Sequence, residues 1–386
     1  MSAHILVVDD EPDLAELIRQ RFRKQIRDKQ LEFSFAADGM EALSQLEQKV
    51  FFDMVLTDIN MPRMDGLSLI SKIRELHPLL KSVIISAYGD MKNIRSALNN
   101  GAFDFVTKPI DFSDLEITIQ RTLEEARATR LAYDNQNKLV DIEKELQIAM
   151  QIQQSILPRH FPAFPERKDF DVFAKMIPAK AVGGDLYDFF LIDWDKLGFC
   201  IGDVSGKGVP AALFMAVTKT LLKSVALQKH TPGECLKRVN KVLHAESVSE
   251  VFVTMFYGIL DTKTGQLAYS NGGHNPTYIL KENGTLETVA PNGGIPISFI
   301  PDFEYTTSEL TLEKNDIIVT YTDGVNEAMD AEENEFSEER LEGNLKENKN
   351  SSPEKVISHI FKQVEIFTKG ADQSDDITML AVQFKG

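Results

Sequence analysis

The sequence predicts a multidomain protein: an α/β domain on a five-stranded parallel sheet, a long helical linker, and an α+β sandwich. Three observations lead to this prediction. Five short apolar runs alternate with amphipathic segments between residues 3 and 125, and a stretch without Gly or Pro follows to residue 157. From residue 169 onward, strand-like runs dominate. Alternation of strands and helices is typical of parallel sheets, whereas successive strands with tight turns are typical of antiparallel ones.

Composition limits the classes of function. The chain has 386 residues, 43% of them apolar and 26% charged, as in soluble proteins of two or three domains. Its net charge of −17 argues against nucleic-acid partners and polybasic membrane contacts. The two cysteines have no metal-ligand spacing, which suits a reducing compartment. Since apolar runs reach only about ten residues and no basic region precedes the first, we expect a cytoplasmic protein without membrane contacts.

Polar residues follow the strand candidates of the first third, HILVV, LEFSFA, DMVLT, SVIIS and FDFVT. These residues are Asp9, Asp10, Asp58, Ser86 and Lys108. In doubly wound sheets the ligand lies at the carboxyl ends of the strands. Clustered carboxylates repel each other unless a cation joins them, and Mg²⁺ prefers carboxylate oxygens. With a lysine and a hydroxyl at the same edge, the pattern predicts a magnesium site that holds a phosphoryl group.

These positions, with the segments LTDINMPRMDG and TKP, resemble the receiver domain of bacterial two-component response regulators. The resemblance covers about residues 1–122 and implies a flavodoxin-like fold. It also implies that a histidine kinase phosphorylates Asp58, and Phe105 stands where the family often has its switching aromatic. The implied contacts are Asp9, Asp10 and Asp58 to Mg²⁺, and Ser86 and Lys108 to the phosphoryl group.

A long helix is predicted from about residue 111 to 157, and Pro158 ends it. Small or apolar residues recur along it in steps of three or four, the spacing of a heptad seam. The seam positions are Ala128, Ala132, Leu139, Ile142, Leu146, Ala149 and Ile156, with the polar Asn135 and Gln153. This seam predicts a coiled coil and therefore a homodimer joined through the linker. The alternative is one amphipathic helix packed on its own domain.

The stretch IGDVSGKGVP (201–210) combines glycines, an acid and a lysine in the manner of a phosphate-binding loop. A P-loop requires four residues between its glycines, then Lys, then Ser or Thr. Here three residues separate Gly202 from Gly206, and Gly208 replaces the hydroxyl residue. Nucleotide binding is therefore disfavoured, and Asp203 needs another explanation.

Asp203 is one of four acids that stand at the ends of apolar strand candidates. The others lie in VGGDLYDFF (Asp185), YTDGVNEA (Asp323) and QSDDITML (Asp375). Acids so far apart in sequence can meet only through folding. Their hard oxygen donors suit Mg²⁺ or Mn²⁺, and two such ions about 3.5–4 Å apart activate water and clamp a phosphoryl oxygen. The set therefore predicts a binuclear metal site for phosphate chemistry.

These motifs, with NGGHNP, stand in the order found in metal-dependent Ser/Thr protein phosphatases, the PPM family. From about residue 150 the chain resembles the SpoIIE/RsbU-like bacterial branch, and ELQIAMQIQQSILP resembles the linker before its catalytic domain. The implied ligands of two Mn²⁺ or Mg²⁺ ions are Asp185 for one, Asp323 and Asp375 for the other, and Asp203 with the backbone carbonyl of Val204 between them. Asp375, rather than Asp376, matches the family ligand.

The chain departs from the eukaryotic PPM pattern, in which a His just after the bridging Asp can protonate the leaving group. Val204 and Ser205 occupy this place. His274 in NGGHNP is either a substitute acid or a structural turn residue. The basic residue for the phosphate is open as well: Lys180 is one candidate, and Lys207 is expected to face solvent.

The sequence thus predicts a receiver domain over 1–122, a helical coiled-coil linker over 123–158 and a PPM-type phosphatase domain over 159–386. Phosphorylation of Asp58 would control the phosphatase. The resemblance suggests a phosphorylated STAS-type anti-sigma-factor antagonist, or a similar phosphoprotein, as the substrate.

The same sequence argues against two other functions. A non-catalytic adaptor could bind partners through a PPM-like domain that has lost metal ligands, but this sequence keeps all four acids. A DNA-binding regulator would carry a helix-turn-helix pattern and a basic patch after the receiver, and the sequence shows no sign of either.

Overall fold

The computed structural model divides the chain into two compact units, Met1–Ile142 and Glu143–Gly386. The residues that it describes are 2–48, 51–87, 90–246 and 251–386. The boundary between the units falls inside one continuous helix, and each unit has hydrophobic clusters of its own. The predicted domain boundaries near residues 122 and 158 stay predictions.

The first unit is built on a parallel sheet in the order β2-β1-β3-β4-β5. The strands are β1 (Ala3–Val8), β2 (Leu31–Ala36), β3 (Met54–Asp58), β4 (Lys81–Ala87) and β5 (Asp104–Lys108). Because helices cover both faces, the central strands are nearly continuous apolar runs. All five predicted strands are present, and the doubly wound fold is confirmed.

Six helices flank this sheet. They are α1 (Pro12–Arg21), α2 (Arg23–Arg27), α3 (Gly39–Glu47), α4 (Gly66–Leu76), α5 (Met91–Asn100) and α6 (Phe112–Ile156). The helices α1 and α6 pack on one face, and α3, α4 and α5 pack on the other. Asp38 and Asp65 cap α3 and α4, since their carboxylates accept hydrogen bonds from backbone N–H groups of the first turns.

The helix α6 runs for 45 residues. Its start packs on the receiver sheet through Leu115, whereas every side chain from 131 to 145 is exposed. The exposed stretch includes the seam residues Leu139 and Ile142, at 62% and 53% exposure. Gln153, which the sequence placed on the same seam, is instead buried against its own domain. The coiled-coil dimer stays a prediction.

The second unit contains two five-stranded sheets whose paired strands are antiparallel. The first has the order β13-β10-β9-β8-β7, with β7 (Leu186–Leu191), β8 (Lys196–Val204), β9 (Val253–Asp261), β10 (Gln266–Gly272) and β13 (Ser308–Thr311). The second has the order β12-β11-β14-β15-β6, with β6 (Phe170–Ile177), β11 (Tyr278–Leu280), β12 (Leu286–Thr288), β14 (Ile317–Tyr321) and β15 (Ile377–Phe384).

Helices cover the outer faces of the two sheets. They are α7 (Val209–Ala226), α8 (Pro232–Glu246), α9 (Asp323–Asn326), α10 (Ser337–Glu347) and α11 (Pro353–Phe367). The main core joins the inner faces of both sheets with α7 and α8, and a second cluster joins β14 and β15 with α10 and α11. This layering confirms the predicted α+β sandwich.

The helix α7 is also the most apolar of the described helices. Among the described residues, it alone is long and apolar enough to cross a membrane by length and composition, and 44% of it is buried inside the domain. Core helices of soluble proteins pass the same test, so this is weak evidence for a membrane span.

Candidate functional site

The carboxyl edge of the receiver sheet gathers the predicted acids around one lysine. The Lys108 ammonium lies 3.1 Å from Asp58 Oδ1, 3.3 Å from Asp9 Oδ2 and 3.2 Å from Glu11 Oε1. Asp58 is buried, and the backbone N–H of Asn60 donates to its other oxygen at 2.9 Å. A single cation therefore holds carboxylates from β3 and from the turn after β1.

Charge and burial oppose each other at this edge. Burial raises the pKa of Asp9, and the charge of Asp58 adds to this rise. Burial alone would lower the pKa of Lys108, but the hydrogen bond and charge of Asp58, then the charge of Asp9, raise it overall. The lysine is therefore held in its charged form.

The other predicted receiver residues surround the same edge. The Ser86 hydroxyl is buried and has no hydrogen-bond partner within the described part of the chain. Asp10 is exposed, and Phe105 is half-buried beside the cluster under α4 and α5. The carboxylates suit a hard cation such as Mg²⁺, and an unpaired hydroxyl offers a donor to an incoming oxyanion.

In the second unit the predicted acids stand at matching strand ends. Asp185 immediately precedes β7 and Asp203 lies near the end of β8, where Leu186 pairs with Gly202. In the other sheet, Asp323 follows β14 and Asp375 precedes β15, and the antiparallel pairing of β14 with β15 puts them at one end. We refer to Asp185, Asp203, Asp323 and Asp375 as the four strand-end acids.

Contacts between the two sheets bring the four strand-end acids together: Thr322, beside Asp323, donates to Asp185, and Lys207, four residues after Asp203, pairs with Asp375. Burial, together with the charges of Asp323 and Asp375, raises the pKa of Asp203 to about 7. Asp185 is only 1% exposed, and burial followed by the charge of Asp203 raises its pKa well above the usual range. Burial and the charge of Asp375 raise the pKa of Asp323 as well. Carboxylates held this way favour a site that a cation completes.

Carboxylate and carbonyl oxygens are suitable ligands for divalent metal ions. The carboxylates of this site are not, however, arranged around one point as ligands of a bound ion. A Cβ atom added to Gly184 would lie 2.8 Å from the carbonyl oxygen of Val204, so this predicted backbone donor borders the loop of Asp185. Over the described residues, no group of three His, Cys, Asp or Glu side chains is arranged to hold an ion. Hydrogen bonds and an ion pair occupy some of the carboxylate oxygens instead.

Thr322 and Asp376 hold the loop that carries Asp185. The buried Thr322 hydroxyl donates to Asp185 Oδ2 at 2.8 Å. Asp376 Oδ2 accepts from the backbone N–H of Gly184 at 2.6 Å, and its Oδ1 accepts from Ala179 at 2.8 Å. A Cβ atom on Gly183 would lie 2.2 Å from Asp376 Oδ2, so glycine is required there. Asp376 thus braces the loop, since both of its carboxylate oxygens accept backbone hydrogen bonds.

The two basic candidates differ in their surroundings. Lys180 is exposed. Lys207, expected to face solvent, is half-exposed, and its ammonium lies 2.8 Å from Asp375 Oδ2. The hydrogen bond to Asp375 raises the pKa of Lys207.

His274 is a structural residue in this fold. It is buried, its Nδ1 lies 2.9 Å from the Thr254 hydroxyl, and its backbone N–H donates to the Asn271 side chain at 2.6 Å. Burial lowers the pKa of His274 to about 3, so the imidazole is neutral near pH 7 and has no acidic proton to give. These surroundings therefore favour the interpretation of His274 as a structural turn residue over that of a substitute acid.

Sequence reasoning missed the roles of Thr322, Asp376 and Gln153. Gln153, near the end of α6, makes two hydrogen bonds with the backbone of Gly183, at 2.6 Å and 3.1 Å. Thr322 and Asp376 each stand directly beside a predicted metal ligand in the sequence, and this position was the one feature that could have indicated their roles. Nothing in the spacing of Gln153 distinguished it from a polar seam residue.

Comparison with known proteins matches both units. The receiver domain family of response regulators matches residues 5–120, and the family Stage II sporulation protein E (SpoIIE) matches residues 193–385, half of the chain. The protein IcfG of Synechocystis sp. is 32% identical over 266 residues, 62% of this chain and 41% of that protein. The phosphoserine phosphatase RsbU of Bacillus subtilis is 31% identical over 248 residues, 64% of this chain and 71% of RsbU.

A solved structure agrees with the fold of the second unit. The SiaA-PP2C domain of Pseudomonas aeruginosa aligns with a TM-score of 0.57 at 20% identity, covering 64% of this chain and 99% of that domain. Together with the family matches, these findings identify the class: the chain belongs to the SpoIIE family of metal-dependent, PPM-type Ser/Thr protein phosphatases and joins that domain to the receiver domain of a response regulator.

Proposed function

We propose that this protein is a two-component response regulator whose output is dephosphorylation of phosphoserine or phosphothreonine on a partner protein. The observation that carries the proposal is the convergence of the four strand-end acids at one end of the sandwich, in a domain of the SpoIIE family. The receiver would be the switch, and the sandwich would be the catalyst.

In the phosphatase domain, the four strand-end acids and the carbonyl of Val204 would hold two Mn²⁺ or Mg²⁺ ions. Bound metals supply Lewis-acid charge at a phosphoryl oxygen and lower the pKa of water. Side chains around the acids would hold these ligands in position. Thr322 orients the Asp185 carboxylate by donating to one of its oxygens, and Asp376 fixes the preceding backbone. Asp203 faces charges from both sheets, which suits a bridging position.

In the receiver, Asp58 would accept a phosphoryl group from a histidine kinase. Asp9, Asp10 and Asp58 would hold Mg²⁺ during the transfer. The Lys108 ammonium, already 3.1 Å from Asp58 Oδ1, would then contact an oxygen of the phosphoryl group. The buried Ser86 hydroxyl, without a partner in the described structure, has a donor to offer a second oxygen.

The partners follow from the same proposal. RsbU is a phosphoserine phosphatase, which supports a phosphoserine protein as the substrate of this chain. We propose a STAS-type anti-sigma-factor antagonist as that substrate, a homodimer through α6, and a cytoplasmic location. The net charge of −17 supports a protein partner over nucleic acid or an anionic membrane.

The first test is hydrolysis of a small aryl phosphate by the full-length protein, with Mn²⁺ titrated from zero. Asp203→Asn should abolish the metal-dependent turnover, because it removes the acid that faces both sheets. Asp372→Asn is the matched control, since Asp372 is an exposed carboxylate only three residues from Asp375. Turnover that follows Mn²⁺ in the parent and in the control, and not in Asp203→Asn, supports the phosphatase.

An adaptor would behave differently in the same experiment. Absence of turnover at every Mn²⁺ and Mg²⁺ concentration, with Asp58 both free and phosphorylated, would refute catalysis. The non-catalytic reading would then stand, and capture of phosphorylated and unphosphorylated partner proteins would be the next measurement.

A further inference from the structure

A phosphatase site needs a cationic side chain that recognises the phosphate as well as the metals that activate it. Phosphoryl oxygens gain stabilisation from fixed positive charge as the bond breaks. The strand-end acids supply only negative charge. A lysine or arginine within reach of them is therefore the residue to look for.

Lys207 meets this requirement. It lies between Gly206 and Gly208 in the turn that joins β8, the strand of Asp203, to α7. Its ammonium lies 2.8 Å from Asp375 Oδ2 and 2.6 Å from the carbonyl oxygen of Ser374. The turn thus bridges the two sheets and brings a positive charge directly to the acids.

Other lysines of the domain are engaged elsewhere or stand apart. Lys219 and Lys223 both face the buried carboxylate of Asp188, at 2.8 Å and 3.7 Å. Lys175 lies over the ring of Phe361. Lys180 is exposed, and no contact joins it to the acids among the described residues.

The hydrogen-bonding capacity of Lys207 leaves room for a ligand. An ammonium has three donors on a flexible stem, and two of them serve Asp375 and Ser374 in the described structure. The side chains of Lys207 and Asp375 are 40% and 34% exposed, so solvent reaches this pair, whereas Asp185 on the other sheet is buried. This exposure leaves the ammonium accessible to a phosphate that approaches from solvent.

We propose that Lys207 is a catalytic residue that binds the phosphoryl group of the phosphoprotein substrate, an inference that rests on the proposed phosphatase function. Its ammonium donates to a non-bridging phosphoryl oxygen while Asp375 keeps the lysine stem directed into the site. This role reverses the expectation that Lys207 merely faces solvent.

The test compares Lys207→Ala and Lys207→Arg with two other lysine variants of the full-length protein. Lys180→Ala removes the rival candidate. Lys237→Ala is the matched control, because Lys237 also pairs with one carboxylate, that of Glu304 on the surface. For each protein we would measure kcat and KM on a phosphoserine peptide, inhibition by inorganic phosphate, and Mn²⁺ binding by calorimetry.

We expect Lys207→Ala to lower kcat/KM by about 10- to 100-fold and to weaken inhibition by inorganic phosphate, since one charged donor to the phosphoryl group is lost. Arginine should restore part of the loss because it keeps the charge. Mn²⁺ binding should stay equal or become tighter, since Asp375 loses a competing cation. Lys180→Ala and Lys237→Ala should match the parent.

Two results would overturn the proposal. In the first, Lys207→Ala keeps the parent's kcat/KM and phosphate inhibition. In the second, it changes Mn²⁺ binding alone, which would make Lys207 only a counter-ion of Asp375. If the parent has no turnover at all, the phosphatase proposal fails separately. Calorimetric binding of the phosphoserine peptide, with and without Lys207, then decides whether this residue recognises phosphate.

Discussion

At the scale of single residues, Thr322 gives the sharpest test of how the site is held. Its hydroxyl donates to Asp185 Oδ2 at 2.8 Å and accepts from the backbone N–H of Thr378 at 3.1 Å. Thr322→Val should weaken Mn²⁺ binding or activity by about 10- to 100-fold, the usual effect of losing a group that orients a metal ligand. Calorimetry measures the Mn²⁺ binding, and hydrolysis of an aryl phosphate measures the activity.

The control for Thr322 is Thr320, which lies two residues earlier, on β14. Thr320 is equally buried, but its hydroxyl bonds to the backbone carbonyl of Leu380 at 3.2 Å and not to a carboxylate. Thr322→Val loses two buried hydrogen bonds and Thr320→Val loses one, each costing about 1–3 kcal/mol of unfolding free energy, so both variants are destabilised. Equal loss of Mn²⁺ binding in the two variants would argue against the orienting role.

Asp203 makes stability without metal depend on pH. The pKa of Asp203 is about 7 in the folded protein against an ordinary value of 3.8. A folded-state pKa above the unfolded value stabilises the fold at low pH, and this stabilisation is lost as pH rises through the folded value. In chelator, the unfolding free energy should therefore fall between about pH 4 and pH 7.

Asp203→Asn should flatten this pH profile and make the chelated protein more stable than the parent at pH 8, by about 2 kcal/mol. Urea unfolding in chelator across this range measures the effect. The pKa values of Asp185 and Asp323 are raised as well, so the slope should shrink without vanishing. A parent whose stability rises with pH over the same window would contradict the assignment.

Sequence reasoning found the acids because a carboxylate at the end of an apolar strand is visible without coordinates. It did not find the roles of Thr322 and Asp376, because these roles depend on the tertiary contacts that each side chain makes. Thr322 meets Asp185 across 137 positions of sequence, and Asp376 meets Gly184 across 192. Such contacts depend on how two sheets face each other, which no local pattern encodes.

At the scale of elements, the end of α6 is joined to the loop that carries Asp185. Gln153 makes two hydrogen bonds with the backbone of Gly183, two residues before Asp185. A helix that moved would pull this loop with it, so Gln153 is placed to couple the linker to the metal site. Gln153→Ala should lower kcat or raise the Mn²⁺ requirement by about tenfold, in line with loss of a positioning contact.

Gln151 provides the control for the linker experiment, since it lies on the same helix and is exposed. Gln151→Ala should behave as the parent in the Mn²⁺ titration of aryl phosphate hydrolysis. If Gln153→Ala also behaves as the parent, the contact is only structural and the linker must act in another way.

Long, patterned elements were the most predictable part of the fold. All five receiver strands and the long helix α6 appear where the sequence indicated. The strand β7 (Leu186–Leu191) was indicated only through the acid motif that precedes it, because its residues LYDFFL show no alternation. Strands β12 and β13 are only three and four residues long, and pairing with neighbours rather than local pattern defines them.

At the scale of the whole molecule, the exposed part of α6 predicts the oligomeric state. A helix whose side chains are all exposed from 131 to 145 has no partner for its apolar residues within the described chain. Leu139 and Ile142, three residues apart, fall on the predicted seam. Burying such a seam against a second copy would remove it from water, and apolar burial stabilises by about 25 cal/mol per Å².

The dimer is tested by the double variant Leu139→Glu with Ile142→Glu. Like charges facing each other across a heptad seam oppose pairing, so sedimentation should show the parent as a dimer and this variant as a monomer.

Val140→Glu is the matched control. Val140 is also exposed and apolar, at 41%, but it lies one position off the seam, so the charge of the new glutamate should point away from the partner. Dissociation by Val140→Glu alone would place the seam on another face, and a monomeric parent would leave the single-helix alternative. The proposed switch makes this helix the route from Asp58 to the phosphatase, so the dimer fraction should also be compared with and without phosphorylation.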